Sequence, residues 1–504
     1  VAKARSISAG RGLILITGAK LWFMVAGYVI QFALPRALGS PALYGVYGVI
    51  LNFLNPVNNV INTGTIQGVS KFTAETEERR PAVTRAALRL QAWVGGGAAL
   101  GFFLLAPAFA WLEHDHALIP YYRVAAGVVL AYSFYAVFVG AANGAKQFHK
   151  QAGLDVTFST MRCIFIVGVA AVTHSVLAAL GAFVAAAATI LVVAVFLVGL
   201  GGTPHEPFPV SKLVKFFGGV WFYLAISNLL MFVDGILVKR LVTEDAIGHQ
   251  LANAALIANE QSGFYLAVQN VARIPYQLIL AVTFIIFPLV SQSTFEADHE
   301  KTRGYVRTTM RYSLAVAALF AAVLAARPTA TMRLLYKPEY VVGAPALVPL
   351  VAGYVLFSLF TIAGTIINSS GRTLPTTLIG VITLAAAAAG NWLAIHFALS
   401  MGHDPLLAAA SATAAAMGFG LILAGLYLQR VFGAFVPLLT VVRVSLCCAA
   451  AAAVGWAWTR SGIMPGKFGT MISAATCGLA FVAVAVVSGE LRPRELMQAR
   501  RGTK

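Results

Sequence analysis

The sequence predicts an all-α polytopic membrane protein of about 14 transmembrane helices, and three observations carry that prediction. The 504 residues are 59% hydrophobic and only 11% charged, whereas a soluble domain is about one-quarter charged. Mean hydropathy is +0.81. Apolar runs of about 20 residues, the length that crosses a bilayer core as a helix, recur along almost the whole chain. No interval between them is long enough for a separate soluble domain, so function must reside in the membrane bundle.

Taken in order, the runs place spans at approximately 11 to 34, 42 to 66, 84 to 111, 120 to 142, 153 to 172 and 176 to 201. A second set follows at approximately 213 to 240, 258 to 290, 308 to 326, 344 to 369, 373 to 398, 404 to 429, 436 to 458 and 468 to 488. Lys3, Arg5 and Arg11 stand ahead of the first run as in a signal peptide. That run is too long and lacks a convincing small-residue cleavage site, so it is read as a retained span.

An even number of spans puts both ends on one side, and the loop cations orient them. Lys71, Arg79, Arg80 and Arg85, then Lys301, Arg303, Arg307 and Arg311, and the tail cations Arg492, Arg494, Arg500, Arg501 and Lys504 fall on the side of the termini. Fewer cations fall opposite, among them Arg36, Lys239, Arg240, Arg327 and Arg333. The excess predicts both termini in the cytoplasm of a multi-pass protein of the cell (inner) membrane. A net charge of +18 would suggest nucleic acid in a soluble protein. Here it reports topology, and no nucleic-acid partner is expected.

Enzyme chemistry finds no support in the motifs. Cys163, Cys447, Cys448 and Cys477 all lie in apolar runs without CxxC or His-rich spacing, which reads as packing, with no metal site. HExxH, Walker and GxSxG patterns are absent from the sequence. The stretch WLEHDHALIP brings Glu113, His114, Asp115 and His116 together in a short outer loop, where a solvated loop is the favoured reading over a metal site.

A weak internal repeat organises the spans. GAKLWFMVAGY of the first span resembles GGVWFYLAISN of the seventh, and YGVYGVILNFLNPVNN of the second resembles SGFYLAVQNVARIP of the eighth. Copies separated by an even number of spans enter from the same side, which makes a parallel repeat. The expected organisation is an N-terminal lobe over 1–201, a C-terminal lobe over 202–430, and two extra spans with a basic tail over 431–504.

Polar residues inside spans are the functional pointers, because a mid-membrane charge costs about 2.5 to 3.5 kcal/mol on insertion scales. Lys20, Arg162 and Arg273 are the deep cations; Asp234 and Glu260 are the corresponding acids. Asn52, Asn55, Asn59 and Asn62 fall on one face of the second span. Gln261, Tyr265, Gln269, Arg273 and Gln277 form its counterpart in the eighth. Such amides serve either as interhelical glue or as cavity lining, and two repeat-related stripes, one of them with a buried arginine, favour a cavity. Pro56 and Pro275, at comparable mid-span positions, are expected kinks and candidate hinges. In LLMFVDGILVKRL, Lys239 and Arg240 follow Asp234 at spacings that do not bring helical side chains together, so the partner of Asp234 is expected on another helix. Asp234 reads as an outer-gate or inter-helix latch, with ion coupling as the lesser reading.

The chain resembles the polysaccharide-export branch of the multidrug/oligosaccharidyl-lipid/polysaccharide (MOP) exporter superfamily. The pieces that carry the resemblance are LPRALGSPALYGVYG, GVSKFTAE, LLMFVDGILVKRL, GFYLAVQNVARIP followed by FPLVSQS, and LLYKPEYVVGAPAL followed by INSSGRT. GVSKFTAE is similar to spore-cortex and cell-wall members. The resemblance implies two six-helix lobes that alternate access around a central cavity. It also implies flipping of a polyprenyl-pyrophosphate-linked oligosaccharide, whether O-antigen, exopolysaccharide or peptidoglycan precursor.

For such a substrate, cations suit the phosphates and amides the sugar. That choice assigns Lys20, Arg162 and Arg273 to the headgroup, Asn55, Asn59 and Gln269 to polar contacts, and Asp234 and Glu260 to gating or ion coupling. No cofactor is expected, and membrane potential, Na⁺ or H⁺ could each supply the coupling. Membrane lipids and glycosyltransferases or a polymerase of the same pathway are the expected partners. A cation-coupled multidrug antiporter of the same superfamily and a non-transport scaffold of an envelope-synthesis complex are the alternatives.

Overall fold

The computed structural model describes residues 9–75, 77–204, 206–295, 298–462 and 466–491. Lys3, Arg5 and the tail cations from Arg492 onward, on which the orientation partly rests, lie outside the described residues. The chain forms α1 (Ala9–Leu38), α2 (Pro41–Glu75), α3 (Arg80–Leu104), α4 (Ala106–Leu112), α5 (Ile119–Gly144), α6 (Phe148–Thr173), α7 (Val176–Val198) and α8 (Val210–Gly248). It continues through α9 (Ala254–Ala272), α10 (Ile274–Phe295), α11 (His299–Ala325), α12 (Pro328–Leu335), α13 (Ala344–Ser369), α14 (Thr373–Ser400), α15 (Pro405–Phe432), α16 (Leu438–Ser461) and α17 (Lys467–Val487). No β-strand occurs among the described residues.

Helix ends follow local chemistry. Proline stands in the first turn of α3, α4, α5, α12, α13 and α15, where its missing N–H would have had no partner anyway. Ser175 caps α7 by accepting from the Ala178 N–H, and Asp404 caps α15 by accepting from the Leu406 N–H. Gly433 closes α15 at φ +63°, a left-handed geometry that costs glycine nothing.

Among the described residues, twelve stretches are long and apolar enough to cross a membrane. Two further elements have the length. α2 runs for 35 residues, about 52 Å at 1.5 Å per residue, its hydropathy lowered by the amides. α9 and α10 follow one another with one residue, Arg273, between them. With these two, the helices account for the span pattern read from the sequence.

Two compact units emerge, residues 1–263 and 264–504. In the first, α2, α3 and α7 pack around α5, while α6 packs on α1 and α7. In the second, α10, α11 and α15 pack around α13, and α14 packs on α15. Matched span for span, the two units share this pairing, which is the structural form of the repeat. The exception is its first member: α1 packs on α6, whereas α8 packs on α2. α16 and α17 pack on each other and on α11, burying Ala318, Ala322, Cys447, Ala451, Cys477 and Phe481.

Two prolines divide what the sequence reads as single spans. Pro107, in the first turn of α4, cannot donate to the preceding turn, and the 84–111 span becomes α3 and α4. Pro275 does the same at the start of α10, while Arg273 N–H and Gln277 N–H still bond to Gln269 O and Arg273 O across the break. Pro56, in contrast, is accommodated within uninterrupted α2.

Candidate functional site

In the first unit the deep cations cluster on the α1–α6 seam. Lys20 Nζ lies 2.8 Å from Asp155 Oδ2; the lysine side chain is 53% exposed and the aspartate only 6%. Arg162 follows Asp155 by seven residues, two helical turns, and so shares its face of α6. The Phe23 ring lies close to both cations, 5.8 Å from Lys20 Nζ and 5.0 Å from the Arg162 guanidinium carbon. Phe158 and Phe183 complete an aromatic frame around Arg162, each 5.8 Å away. Within that frame Arg162 Nε is buried without a hydrogen-bond partner. The result is two cations and one carboxylate on a partly open seam, a net positive site in which the Arg162 guanidinium meets the Tyr132 hydroxyl while its Nε stays without an acceptor. Weakly hydrated guanidinium groups of this kind suit phosphate oxygens.

The amide face of α2 turns toward α8. Asn59 Nδ2 donates to Asn228 Oδ1 at 2.8 Å. A Cβ placed on Gly235 would meet Asn52 Nδ2 at 2.6 Å; on Gly64, Trp221 Nε1 at 2.1 Å; and on Gly68, the Phe217 ring at 2.2 Å. The pairs 52/235, 59/228, 64/221 and 68/217 run in opposite chain directions, which sets an antiparallel register. Interhelical glue therefore describes Asn52 and Asn59 in this arrangement. Asn55 is half-buried on the same helix.

The remaining sequence candidates are dispersed. Asp234 is fully buried in α8, its Oδ1 accepting the Gly235 N–H at 2.8 Å. Glu260 is half-buried on α9. In the second unit, Arg273 occupies the α9–α10 break, is 9% exposed, and donates from Nε to the Tyr354 hydroxyl of α13 at 2.7 Å. Gln269, one turn earlier, is buried, and so is Pro275. Lys20 and Arg162 are thus brought together on one seam, and Arg273 and Gln269 at one break. A recess of about 510 Å³ between α11 and α17 is lined by Leu319, Phe320, Val323, Leu479 and Val482 among others, with no polar side chain.

The structure corrects the reading of WLEHDHALIP as a solvated loop. His114 and His116 face outward, but Glu113 and Asp115 are buried at 0% and 6% exposure. Lys239, read from the sequence as a loop cation, is fully buried in α8 and donates to Asp115 Oδ2 at 3.1 Å. Arg240 donates to Glu244 Oε1 at 2.9 Å, and His114 Nε2 lies 2.9 Å from the same oxygen. Glu490 is a second residue the sequence reading missed. It is 1% exposed at the end of α17, takes Arg311 Nε at 2.6 Å, and lies 3.6 Å from Arg443 Nη1.

A family model described as "Polysaccharide biosynthesis protein" matches residues 34–342, more than half of the chain. The chain belongs to that family. The match takes in Arg162, Arg273 and the α2 amides, and begins after Lys20. No curated protein sequence matches the chain.

Solved structures share its fold. A lipid II flippase MurJ in an inward closed conformation superposes with a TM-score of 0.73 at 12% identity, over 96% of this chain and 100% of that one. An inward-facing multidrug resistance MATE family transporter of the MOP superfamily gives 0.58 at 14% identity, over 83% and 94%. A MOP superfamily transporter from Pyrococcus furiosus, described by the reverse polarity of its binding pocket, gives 0.55 at 13% identity, over 83% and 95%. The family match bears out the polysaccharide side of the resemblance, and the fold is shared with solved MOP superfamily transporters.

Proposed function

We propose that this protein is a flippase that moves a polyprenyl-pyrophosphate-linked oligosaccharide across the cell membrane by alternating access. The observation that carries the reading is the Lys20–Asp155–Arg162 set. A pyrophosphate oxygen can share Lys20 with Asp155 and accept from the unpartnered Arg162 Nε, so that the added anion meets two cations while the buried carboxylate keeps its partner. An aromatic frame suits this task, because it holds the guanidinium in place without neutralising it. Membership of a polysaccharide biosynthesis family supports a saccharide cargo, and likeness to a MurJ flippase supports a flipping fold. On this reading Arg273 and Gln269 supply further contacts once the Tyr354 bond is released, and Asp234 and Glu260 act in gating.

Multidrug antiport is the less favoured alternative, since a site for cationic drugs would not present two cations to one acid.

Complementation of an export-deficient strain tests the proposal. Lys20→Ala and Arg162→Ala variants that insert at wild-type levels are expected to lose most export. Full export by both would remove the phosphate-binding role.

A further inference from the structure

We propose that Glu113 is a proton-binding site of the first unit, built by the turn between α4 and α5 against the C-terminal part of α8. Both of its carboxyl oxygens are buried and neither has a hydrogen-bond partner. The residue has no exposed surface.

Its surroundings explain why it holds a proton. Glu113 follows Phe109 by one helical turn, and Phe109 belongs to a ring cluster with Phe53, Phe102 and Tyr122 at centroid separations of 4.9 to 6.0 Å. This is a low-dielectric floor, over which an ionised carboxylate loses its hydration. The charged and titratable groups that face it are Asp115 on its own turn, Lys239 and Arg240 on α8, and Tyr122 on α5. The lysine already serves Asp115 and the arginine already serves Glu244. The Tyr122 hydroxyl is buried without a partner. Burial pushes the Glu113 carboxyl well above the ordinary carboxylate range; Asp115 adds to that push, and Lys239 and Arg240 oppose it.

Release of the proton is a defined step. The carboxyl O–H bond breaks, the proton passes to water beside exposed His114, and the carboxylate left behind shares the Lys239 ammonium with Asp115. Two carboxylates on one ammonium are unfavourable in a dry site and tolerable in a wet one. Proton occupancy is therefore linked to how tightly the turn docks on α8, whatever the cargo. The proposal does not depend on the substrate reading above.

Infrared difference spectroscopy of the purified full-length protein in lipid nanodiscs tests it. A protonated-carboxyl band is expected at neutral pH that vanishes in Glu113→Gln and persists in Glu244→Gln. In Lys239→Met the band should titrate at higher pH, with proton affinity raised about tenfold or more by loss of an opposing charge. Absence of the band at neutral pH in the wild type, or a band unchanged in Glu113→Gln, overturns the proposal. If Glu113→Gln does not fold, a Lys239→Met titration unmoved from wild type overturns it equally. Loss of the wild-type band on adding NaCl but not choline chloride would also overturn it, making the site one for a metal cation.

Discussion

Lys239→Met is the substitution whose consequence the structure determines most closely. The lysine has no exposed surface, donates to Asp115 at 3.1 Å and to the Ala255 carbonyl at 3.5 Å, and sits in a helix whose neighbouring Val238, Leu241 and Val242 are all buried. Removing the ammonium leaves Asp115 with one donor, the Ala117 N–H. Breaking a buried pair from one side costs about 3–5 kcal/mol, most of it the stranded charge. In a unit of this size each kcal/mol moves the melting midpoint about 2 °C, so a fall of about 6–10 °C is expected in scanning fluorimetry of the detergent-solubilised protein. Asp115→Asn alone should also destabilise. The double variant should cost less than the sum of the two, because a neutral pair strands nothing. Strict additivity, or a Lys239→Met midpoint indistinguishable from wild type, would refute the assignment of a buried ion pair.

Three other predictions bear on separate parts of the molecule. The raised Glu113 pKa gives the folded state a proton whose stabilisation is complete below the unfolded carboxyl value, about 4.3, and is lost as pH rises through the folded value, at up to about 1.4 kcal/mol per pH unit. Melting midpoints should thus fall as pH rises above about 4.3 in wild type, and that fall should be shallower in Glu113→Gln. At Gly45 an added Cβ would lie 1.7 Å from the Asn259 carbonyl oxygen, a backbone atom with no freedom to yield. Gly45→Ala should lower the yield of folded protein at a cost of about 1–3 kcal/mol or more, while Gly96→Ala, with open space around it, should be neutral in the same fluorescence size-exclusion assay. Glu490→Ala strips Arg311 and Arg443 of their shared carboxylate, and alkylation of buried Cys447 and Cys477 should accelerate as α16 and α17 loosen from α11.

Sequence periodicity was a good guide where one face of a helix decides the packing. The spacing of Asn52 and Asn59 placed both on one stripe, and the structure seats that stripe along α8. Periodicity could not name the helix opposite, because partner choice depends on contacts far apart in sequence. Pro275 was legible as a breaker, whereas Pro56 has the same chemistry inside an unbroken helix; α2 absorbs it without ending. The Glu113 site was missed for a physical reason. Ending the seventh span at residue 240 put Lys239 in a loop, but α8 continues to Gly248 and draws the lysine into the protein. The alternation of Glu113 and Asp115 with two histidines, next to Trp111 and Leu112, was the available signal that two acids point one way. Arg162 stood out from the sequence as a deep cation, but its aromatic frame comes from three helices and only the fold assembles it.

Native mass spectrometry of the protein gently released from its membrane reports the cargo itself. A bound mass that fragments into a polyprenyl phosphate and a saccharide is expected, lost in the Lys20→Ala/Arg162→Ala double variant at unchanged protein yield. Retention of that mass by the double variant, or recovery of cationic drugs with no lipid-linked sugar, would contradict that cargo assignment.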